Sequence, residues 1–170
     1  MQKHSRSKIE FHQISGLRYD LGLSLLFDKK VKPIDIDSPK LGFINLHLGL
    51  SPYYKGSATN FWPIVNNELQ FLGGTFMYID KGIDSGPIIH QFRANLKDKE
   101  NIHTIGCKII IKSIKELKKI ILNLKIIKSK KQWKTESVKI YKRSDLNLKA
   151  LNKAKKNLNT KNLKKYLKFK

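Results

Sequence analysis

The sequence contains 170 residues, of which 40% are hydrophobic, and it carries 35 Lys and Arg against 13 Asp and Glu, a formal net charge of +22. This length predicts one domain with room for an appendage, and such a chain can bury roughly 70% of its unfolded surface, which excludes wholesale disorder. The single cysteine, Cys107, excludes an intrachain disulfide framework or a cysteine-rich zinc site, and it fits a reducing, cytoplasmic compartment. No apolar run approaches the about 20 residues that span a bilayer, so no membrane contact is expected.

The positive charge lies mostly in the C-terminal part. Residues 1–100 carry 13 Lys and Arg against 10 Asp and Glu, a net charge of +3, whereas residues 101–170 carry 22 against 3, a net charge of +19. A lysine-rich surface attracts phosphate groups through a salt-dependent force that ignores sequence. Polyanion contact through this region is one interpretation, and the other is compositional drift that leaves solvated lysines without a function.

Short apolar runs in the first half of the chain predict buried strands separated by loops. Residues 20–27 and 42–47 predict the first two strands. Residues 48–57, with two glycines, a proline and two tyrosines, predict an ordered loop. Asn60 is predicted to cap a helix that has Pro63 in its first turn, where the missing N–H of proline costs little.

Two more strands are predicted over residues 73–79 and 87–93, with a tight loop over residues 80–86 between them. Because so few residues separate these strands, they are expected to form an antiparallel hairpin. A long amphipathic helix is predicted from Asn101 onward, because apolar residues recur at steps of three and four or their multiples. These residues are Ile102, Ile105, Ile109, Leu117, Ile120 and Leu124.

Residues 125–140 show no clear periodicity. After them, Ser144 or Asp145 is expected to cap a helix over residues 146–156, and residues 162–168 predict another helix. The leucines spaced through this Lys- and Asn-rich end favour docked helices over a free tail.

Together these elements predict an α/β fold: a partial Rossmann-like sheet with flanking helices, followed by a Lys-rich helical C-terminus. The expected organisation is an N-terminal arm over residues 1–17, a core over residues 18–126, and a basic helical extension over residues 127–170.

Polar side chains stand near two predicted strand ends. Asn45 and His47 are two residues apart, so they project from the same side of a strand. Asp84 lies in the loop over residues 80–86, whose glycines permit a tight turn that exposes carboxylates. An amide, an imidazole and a carboxylate could steady an oxyanion, move a proton and tune the imidazole. Spacing alone leaves open that the three are structural residues of a generic α/β domain.

These residues belong to a longer pattern. Residues 44–56 read INLHLGLSPYYKG, followed by Gly74-Thr75 and by DKGIDSGPII over residues 80–89. This pattern resembles the formyltransferase family, which includes methionyl-tRNA formyltransferase, glycinamide ribonucleotide transformylase and the sugar N-formyltransferases. The shared features are an Asn-x-His strand end, a loop ending in Pro-x-Tyr-Arg-Gly, and a later Asp-x-Gly loop. The resemblance covers about residues 17–126, with a weaker echo over residues 140–145.

The resemblance implies transfer of a formyl group from 10-formyltetrahydrofolate, the co-substrate, to a primary amine, with no metal. By similarity, Asn45 would hydrogen-bond the formyl oxygen, His47 would transfer a proton, and Asp84 would orient a water and keep His47 in its working protonation state. A hydroxyl at the position of Thr75 would help to fix this water, and the later loop would contact the pterin. The implied cofactor-binding residues are Thr75, Ile79, Asp80, Gly82 and Ile83.

The sequence departs from the family pattern at several places. His47 is followed by Leu-Gly-Leu-Ser where many members have Pro-Ser-Leu-Leu, and Lys55 stands where arginine is usual, which loses a bidentate fork. The family's catalytic domain begins with a strand, a Gly-rich loop and further βα units before the strand that matches residues 20–27. We therefore expect a core that lacks these first units, as in an N-terminally shortened chain or a subunit completed by a partner.

Two classes of formyl acceptor stay open at this point, of which a small amine is slightly favoured over methionyl-tRNA. A sugar-nucleotide or other small amine fits the compact tail and the loop variant. Methionyl-tRNA fits the charge of the tail, which is nevertheless too short and too helical for the β-barrel that methionyl-tRNA formyltransferases append. An alternative of another class is a non-catalytic, truncated formyltransferase-like module whose basic C-terminus binds nucleic acid.

Overall fold

The computed structural model describes residues 19–25, 36–97 and 99–168. The predicted arm and the last two residues of the first predicted strand lie outside these ranges. The described residues confirm a mixed α/β fold with a partly parallel sheet and a helical C-terminus. Within the same ranges, the helices lack the combination of length and hydropathy that crossing a bilayer requires.

The main sheet contains β1 (Gly22–Leu25), β2 (Phe43–His47), β4 (Gly73–Tyr78) and β5 (Ile88–Arg93), side by side in this order, and the short strand β3 (Tyr54–Gly56) belongs to a second sheet. β1 and β2 are parallel, whereas β2–β4 and β4–β5 are antiparallel pairs. The β4–β5 pair confirms the predicted hairpin. The β2–β4 register places His47, the last residue of β2, opposite Thr75 in the first half of β4.

The first strand is exposed along one of its faces. Gly22 and Ser24 are buried, but Leu23 and Leu25 are 39% and 49% exposed, and β1 ends the sheet among the described strands. The prediction of a buried strand is therefore wrong for half of its described residues. An apolar run does not reveal whether both faces of a strand are covered, and here the described residues cover one.

A second sheet joins the loop after β2 to the C-terminal part of the chain. β3 pairs in parallel with β6 (Lys139–Tyr141), and each strand has three residues. The sequence predicts only a loop over residues 48–57, because three residues are too few to show a period. This pairing brings residues from the far end of the chain to the end of β2.

The short helix α1 (Trp62–Val65) follows, with Phe61 at its N-cap and without a side-chain cap. The prediction that Asn60 caps this helix is wrong. The Phe61 N–H already donates to the Ala58 carbonyl (2.8 Å), so the chain is turning at Asn60 and begins the helix one residue later. Pro63 lies in the first turn as predicted.

The long helix α2 (Ile102–Asn123) has the predicted position and packs against β4 and β5. It begins at Asn101, whose side chain accepts the Thr104 N–H while the Thr104 hydroxyl accepts the Asn101 N–H. This reciprocal pair satisfies two backbone donors that the helix itself leaves free. Ile105 and Ile109 are fully buried, which confirms the apolar face read from the sequence.

The C-terminal helices are α3 (Leu148–Asn157) and α4 (Thr160–Lys168). The prediction that Ser144 or Asp145 caps the first of them is wrong, because residues Arg143–Asp145 form a 3₁₀ turn. Asn147 is the cap instead, and its side-chain oxygen accepts the Ala150 N–H at 2.9 Å.

Both helices dock on the core rather than forming a free tail. Ala154 of α3 and Leu163 of α4 are 0% and 2% exposed. The Asn157 amide donates to the Val65 carbonyl (2.8 Å) and the Ile64 carbonyl (3.2 Å), which ties the end of α3 to the last residues of α1. The C-terminal segment is therefore part of the folded unit that carries α1.

We predict that Leu163→Ala lowers the free energy of unfolding by about 2–5 kcal/mol, because it leaves a cavity in the core. Leu148→Ala is the matched control: Leu148 is 71% exposed, so its loss should change that energy by less than about 0.5 kcal/mol. Urea unfolding of both variants measures the difference. Equal, small effects would contradict the docking of α4.

Candidate active site

An open cleft with a volume of about 760 Å³ lies at the end of β2. All the predicted site residues except Thr75 line it, so residues from two distant segments meet there. They are Asn45, His47, Ile79, Asp80, Gly82, Ile83 and Asp84. The side chain of Asn45 makes no hydrogen bond to another residue of the described ranges, which leaves its amide available to a bound molecule.

His47 is held at both nitrogens of its ring. Its Nε2 lies 2.7 Å from the Tyr54 carbonyl oxygen, and its Nδ1 lies 3.4 Å from Oδ1 of Asp84. A carbonyl oxygen can only accept, so the Nε2 atom must carry a hydrogen. The side chain is only 5% exposed. The ring orientation at the cleft wall is therefore fixed, with one nitrogen facing a carboxylate.

Asp84 uses its two carboxylate oxygens differently. Oδ2 accepts the Gly56 N–H at 2.8 Å, and Oδ1 faces His47. The backbone of Asp84 has φ +46°, in the left-handed region, which Asp tolerates better than most residues but still at a cost. A turn of this kind points the carboxylate at the imidazole instead of at solvent, and the side chain is 14% exposed.

Gly56 ties Asp84 to the second sheet. It has φ +86°, and a Cβ atom at this position would lie 2.2 Å from the Tyr141 carbonyl oxygen, so no other residue fits without a shift of the backbone. Because the Gly56 N–H donates to Asp84, the β3–β6 pair sets the position of the carboxylate.

Thr75 lies opposite His47 in the β2–β4 register but does not reach the cleft. Its hydroxyl donates to the Gly49 carbonyl (2.7 Å) and accepts from the Ser51 N–H (3.1 Å) and the Gln91 side chain (3.0 Å). These bonds use the one donor and both acceptors of a hydroxyl. The structure thus gives Thr75 the task of fixing the loop after His47, and it leaves no capacity for the water contact that the resemblance implies.

Tyr54, whose carbonyl holds His47, is itself anchored through its side chain. The ring is fully buried, and the hydroxyl donates to Oε2 of Glu68 and accepts from Asn66 (3.0 Å). Burial and the Glu68 carboxylate raise the pKa of Tyr54 well above its usual range, so the hydroxyl stays protonated and keeps donating. Lys139 of β6 balances the charge, with Nζ 2.6 Å from both Glu68 oxygens.

The C-terminal segment contributes residues that the sequence analysis did not assign to the site. Tyr141, Lys142, Arg143 and Leu146 line the cleft, and the side-chain amide of Gln132 donates to the backbone of the Asp84 loop. The weak echo over residues 140–145 was the only signal for Tyr141, Lys142 and Arg143, and it does not reach Leu146. No pattern in residues 125–140 marked Gln132.

A metal centre finds no support in the described ranges, which contain no group of three His, Cys, Asp or Glu residues close enough to hold an ion. The chemistry open to this cleft is proton transfer by an imidazole that a carboxylate orients, beside an amide that can donate to a developing oxyanion.

Comparisons with known proteins identify the family and the fold of this chain. A family model described as formyl transferase matches residues 18–122. The methionyl-tRNA formyltransferase of Thermodesulfovibrio yellowstonii is 32% identical over an alignment of 120 residues, and the match covers 66% of this chain and 39% of that protein. The chain thus spans about two fifths of the length of this relative.

Solved structures show the same fold. The formyltransferase PseJ from Anoxybacillus kamchatkensis, in complex with a UDP-linked formamido sugar and tetrahydrofolate, is 22% identical with a TM-score of 0.67, and the match covers 85% of this chain and 71% of that one. The N-formyltransferase from Helicobacter canadensis, in complex with folinic acid and dTDP-3-aminofucose, is 28% identical with a TM-score of 0.69 over 82% of this chain and 51% of that one.

We predict that Gly49→Ala displaces His47. The added Cβ would lie 2.8 Å from Nε2 of His47 and 2.8 Å from Cβ of Thr59. This Nε2 is the atom that donates to the Tyr54 carbonyl, so the ring cannot keep that hydrogen bond without a shift of the loop. Overpacking of this kind costs about 1–3 kcal/mol of unfolding free energy.

Gly106→Ala is the control, because the nearest atom to its new Cβ is the flexible end of Asn60 at 3.2 Å and alanine favours the helix by about 1 kcal/mol. Chemical unfolding and a crystal structure of each variant check both points. An imidazole in its original position in the Gly49→Ala variant would contradict the prediction, because it would show that the loop around residue 49 moves instead of His47.

Proposed function

Because the chain belongs to the formyl transferase family, we propose that its cleft binds 10-formyltetrahydrofolate and transfers the formyl group to a primary amine. One observation supports this most: Asn45 and His47 at the end of β2 and Asp84 in a distant loop converge on one cleft. The relatives reported above are named as formyltransferases, which supports the same reaction.

In this proposal each of the three residues has one task. The folate supplies the formyl carbon, which bonds to the amine nitrogen while its bond to the folate nitrogen breaks. The Asn45 amide donates to the formyl oxygen as negative charge develops on it. At Nδ1, the ring nitrogen that does not donate to the Tyr54 carbonyl, His47 takes the proton that the amine loses and returns it to the leaving nitrogen. Asp84 keeps the imidazole oriented and stabilises it when it is charged.

The loop from Ile79 to Asp84 is proposed to receive the pterin. The Ile79 N–H donates to the Phe43 carbonyl at 2.7 Å, and Oδ1 of Asp80 accepts from the Gly82 N–H (3.0 Å) and the Ser85 hydroxyl (2.7 Å). These bonds fix the loop without a ligand. Ile83 is 60% exposed at the cleft and offers an apolar surface for a flat ring.

For the acceptor we propose a small amine that carries a phosphate group, such as a sugar nucleotide. Lys142 and Arg143 are exposed at the rim of the cleft, where they can pair with phosphate, and arginine does so in a bidentate manner. The Helicobacter canadensis relative, crystallised with dTDP-3-aminofucose, supports this choice. The lone, half-buried Cys107 is consistent with a reducing, cytoplasmic setting for this chemistry.

A second candidate function rests on the net charge of +19 in residues 101–170. In this second candidate function, the C-terminal part binds nucleic acid. It would either present methionyl-tRNA to the cleft or belong to a non-catalytic module. This binding would weaken steeply as salt is raised, because bound cations are released from the phosphates.

We predict that Asp84→Asn lowers turnover of 10-formyltetrahydrofolate by at least about 100-fold, because the imidazole loses its oriented charge partner. Asp37→Asn, at an exposed position away from the cleft, should leave turnover unchanged. The release of tetrahydrofolate in the presence of an amino sugar nucleotide measures both rates. Turnover like that of the unchanged protein in the Asp84 variant would remove this residue from the mechanism.

We predict that an amino sugar nucleotide, rather than methionyl-tRNA, is formylated, and that tRNA binding is equal for initiator and other tRNAs. A salt titration of tRNA binding, with Asn45→Ala beside the unchanged protein, separates the alternatives. A preference for the initiator together with its formylation would favour methionyl-tRNA. Tight binding by both proteins without any turnover would favour the non-catalytic module.

A further inference from the structure

We infer that Gln132 is a positioning residue that holds the backbone of the Asp84 loop in the shape that aims the carboxylate at His47. Its effect on turnover rests on the proposed function, whereas its effect on the geometry of His47 does not. The inference comes from four contacts that meet at Gln132 and Asp84.

The amide of Gln132 is committed to this loop. Its Nε2 donates to the Asp84 carbonyl (2.8 Å) and to the Gly86 carbonyl (2.9 Å), and it also makes a longer contact of 3.8 Å with the Met77 sulfur. The reversed amide would place an oxygen against two carbonyl oxygens, so the orientation is fixed by the partners. Oε1 is buried and has no partner among the described residues, which is a destabilising arrangement. The side chain therefore stabilises the loop through its N–H groups, although its own buried oxygen loses the hydrogen bonds that water would provide.

The loop needs such a donor because of its backbone shape. Asp84 has φ +46°, and the carbonyls of Asp84 and Gly86 both turn towards the same amide. Without the amide, two partly buried acceptors would lie side by side with no donor. The least costly response is a rotation of the Asp84 backbone out of the left-handed region, and this rotation carries the carboxylate away from His47.

Asp84 is thus held from two sides. Gln132 holds its backbone, and the Gly56 N–H holds its side chain at Oδ2 (2.8 Å), leaving Oδ1 to face His47 at 3.4 Å. The Gly56 contact alone does not fix the residue, because a carboxylate can turn about its side-chain bonds while keeping one hydrogen bond. Both contacts are needed to fix the direction of Oδ1.

Gln132 is itself anchored by the residues around it. Two residues earlier, Lys130 and Ile88 exchange backbone hydrogen bonds of 2.7 and 2.8 Å, which attaches this segment to the edge of β5. One residue later, the Trp133 ring meets the Tyr53 ring edge-on at 5.9 Å. The amide is therefore presented from a fixed backbone, as a positioning residue requires.

The test compares Gln132→Glu, which keeps the shape but sets an oxygen against the two carbonyls, with the exposed neighbour variant Lys131→Ala. The first readout is the ¹⁵N chemical shifts of the His47 imidazole in the free protein. We expect Gln132→Glu to change them in the same direction as Asp84→Asn, while Lys131→Ala leaves them unchanged. Unchanged His47 shifts in a folded Gln132→Glu protein would overturn the inference. If that variant does not fold, Gln132→Met, which removes the donor without adding an oxygen, gives the same comparison.

The second readout is turnover. We expect Gln132→Glu to lower kcat by about 100-fold with a smaller change in KM, because a misplaced catalytic group acts on the reaction step. In an Asp84→Asn background the same change should cost little, since residues that act as one unit are not additive. Additive losses would overturn the inference. If the unchanged protein turns over no substrate but Gln132→Glu still shifts the imidazole signals, the positioning role is supported and the proposed function is rejected.

Discussion

The rest of this site depends on the placement of the His47 imidazole between the Tyr54 carbonyl and the Asp84 carboxylate. Each of its two contacts comes from a different part of the chain: the carbonyl from β3, and the carboxylate from the loop between β4 and β5. A proton-transfer group is useful only when its ring is aimed, and neither contact alone can fix two ring nitrogens. The structure around the cleft can be understood as the set of contacts that keeps these two partners in place.

Those contacts extend well beyond the cleft. Tyr54 is kept in position by a buried hydroxyl bonded to Glu68, whose charge is balanced by Lys139 of β6. Asp84 is kept in position by Gly56 and Gln132. The C-terminal part of the chain therefore supplies residues that hold the site in place. Among them are Gln132 and Lys139, whose structural role cannot be read from the basic composition of this part. A positive surface and a structural segment coincide here, so charge alone is a poor guide to the function of residues 127–170.

The sequence predicts the parts of this arrangement that depend on local periodicity. The strand over residues 43–47 follows from an apolar run, and the shared side of Asn45 and His47 follows from the alternation of a strand. The hairpin and the long helix follow from their spacing in the same way. The convergence of Asp84 with His47 does not follow from spacing and was predicted from the family resemblance alone.

Features that depend on distant partners could not be predicted. The β3–β6 pair has three residues on each side, and Gln132 lies in a stretch with no period. Thr75 was expected at the cleft because of its position in the family pattern, yet its hydroxyl is used up by the loop after His47. The exposed leucines of β1 show the same limit, since a run of apolar residues does not tell how many faces are covered.

The measurement that tests this account most directly is a calorimetric titration of the purified chain with a non-reactive analogue of 10-formyltetrahydrofolate, beside urea unfolding of the same sample. The account predicts saturable binding of one analogue per chain by a cooperatively folded protein, because the described loop from Ile79 to Asp84 is already fixed by its own hydrogen bonds. No binding by a chain that unfolds cooperatively would contradict it, because a folded cleft with these residues in place would then fail to recognise the folate.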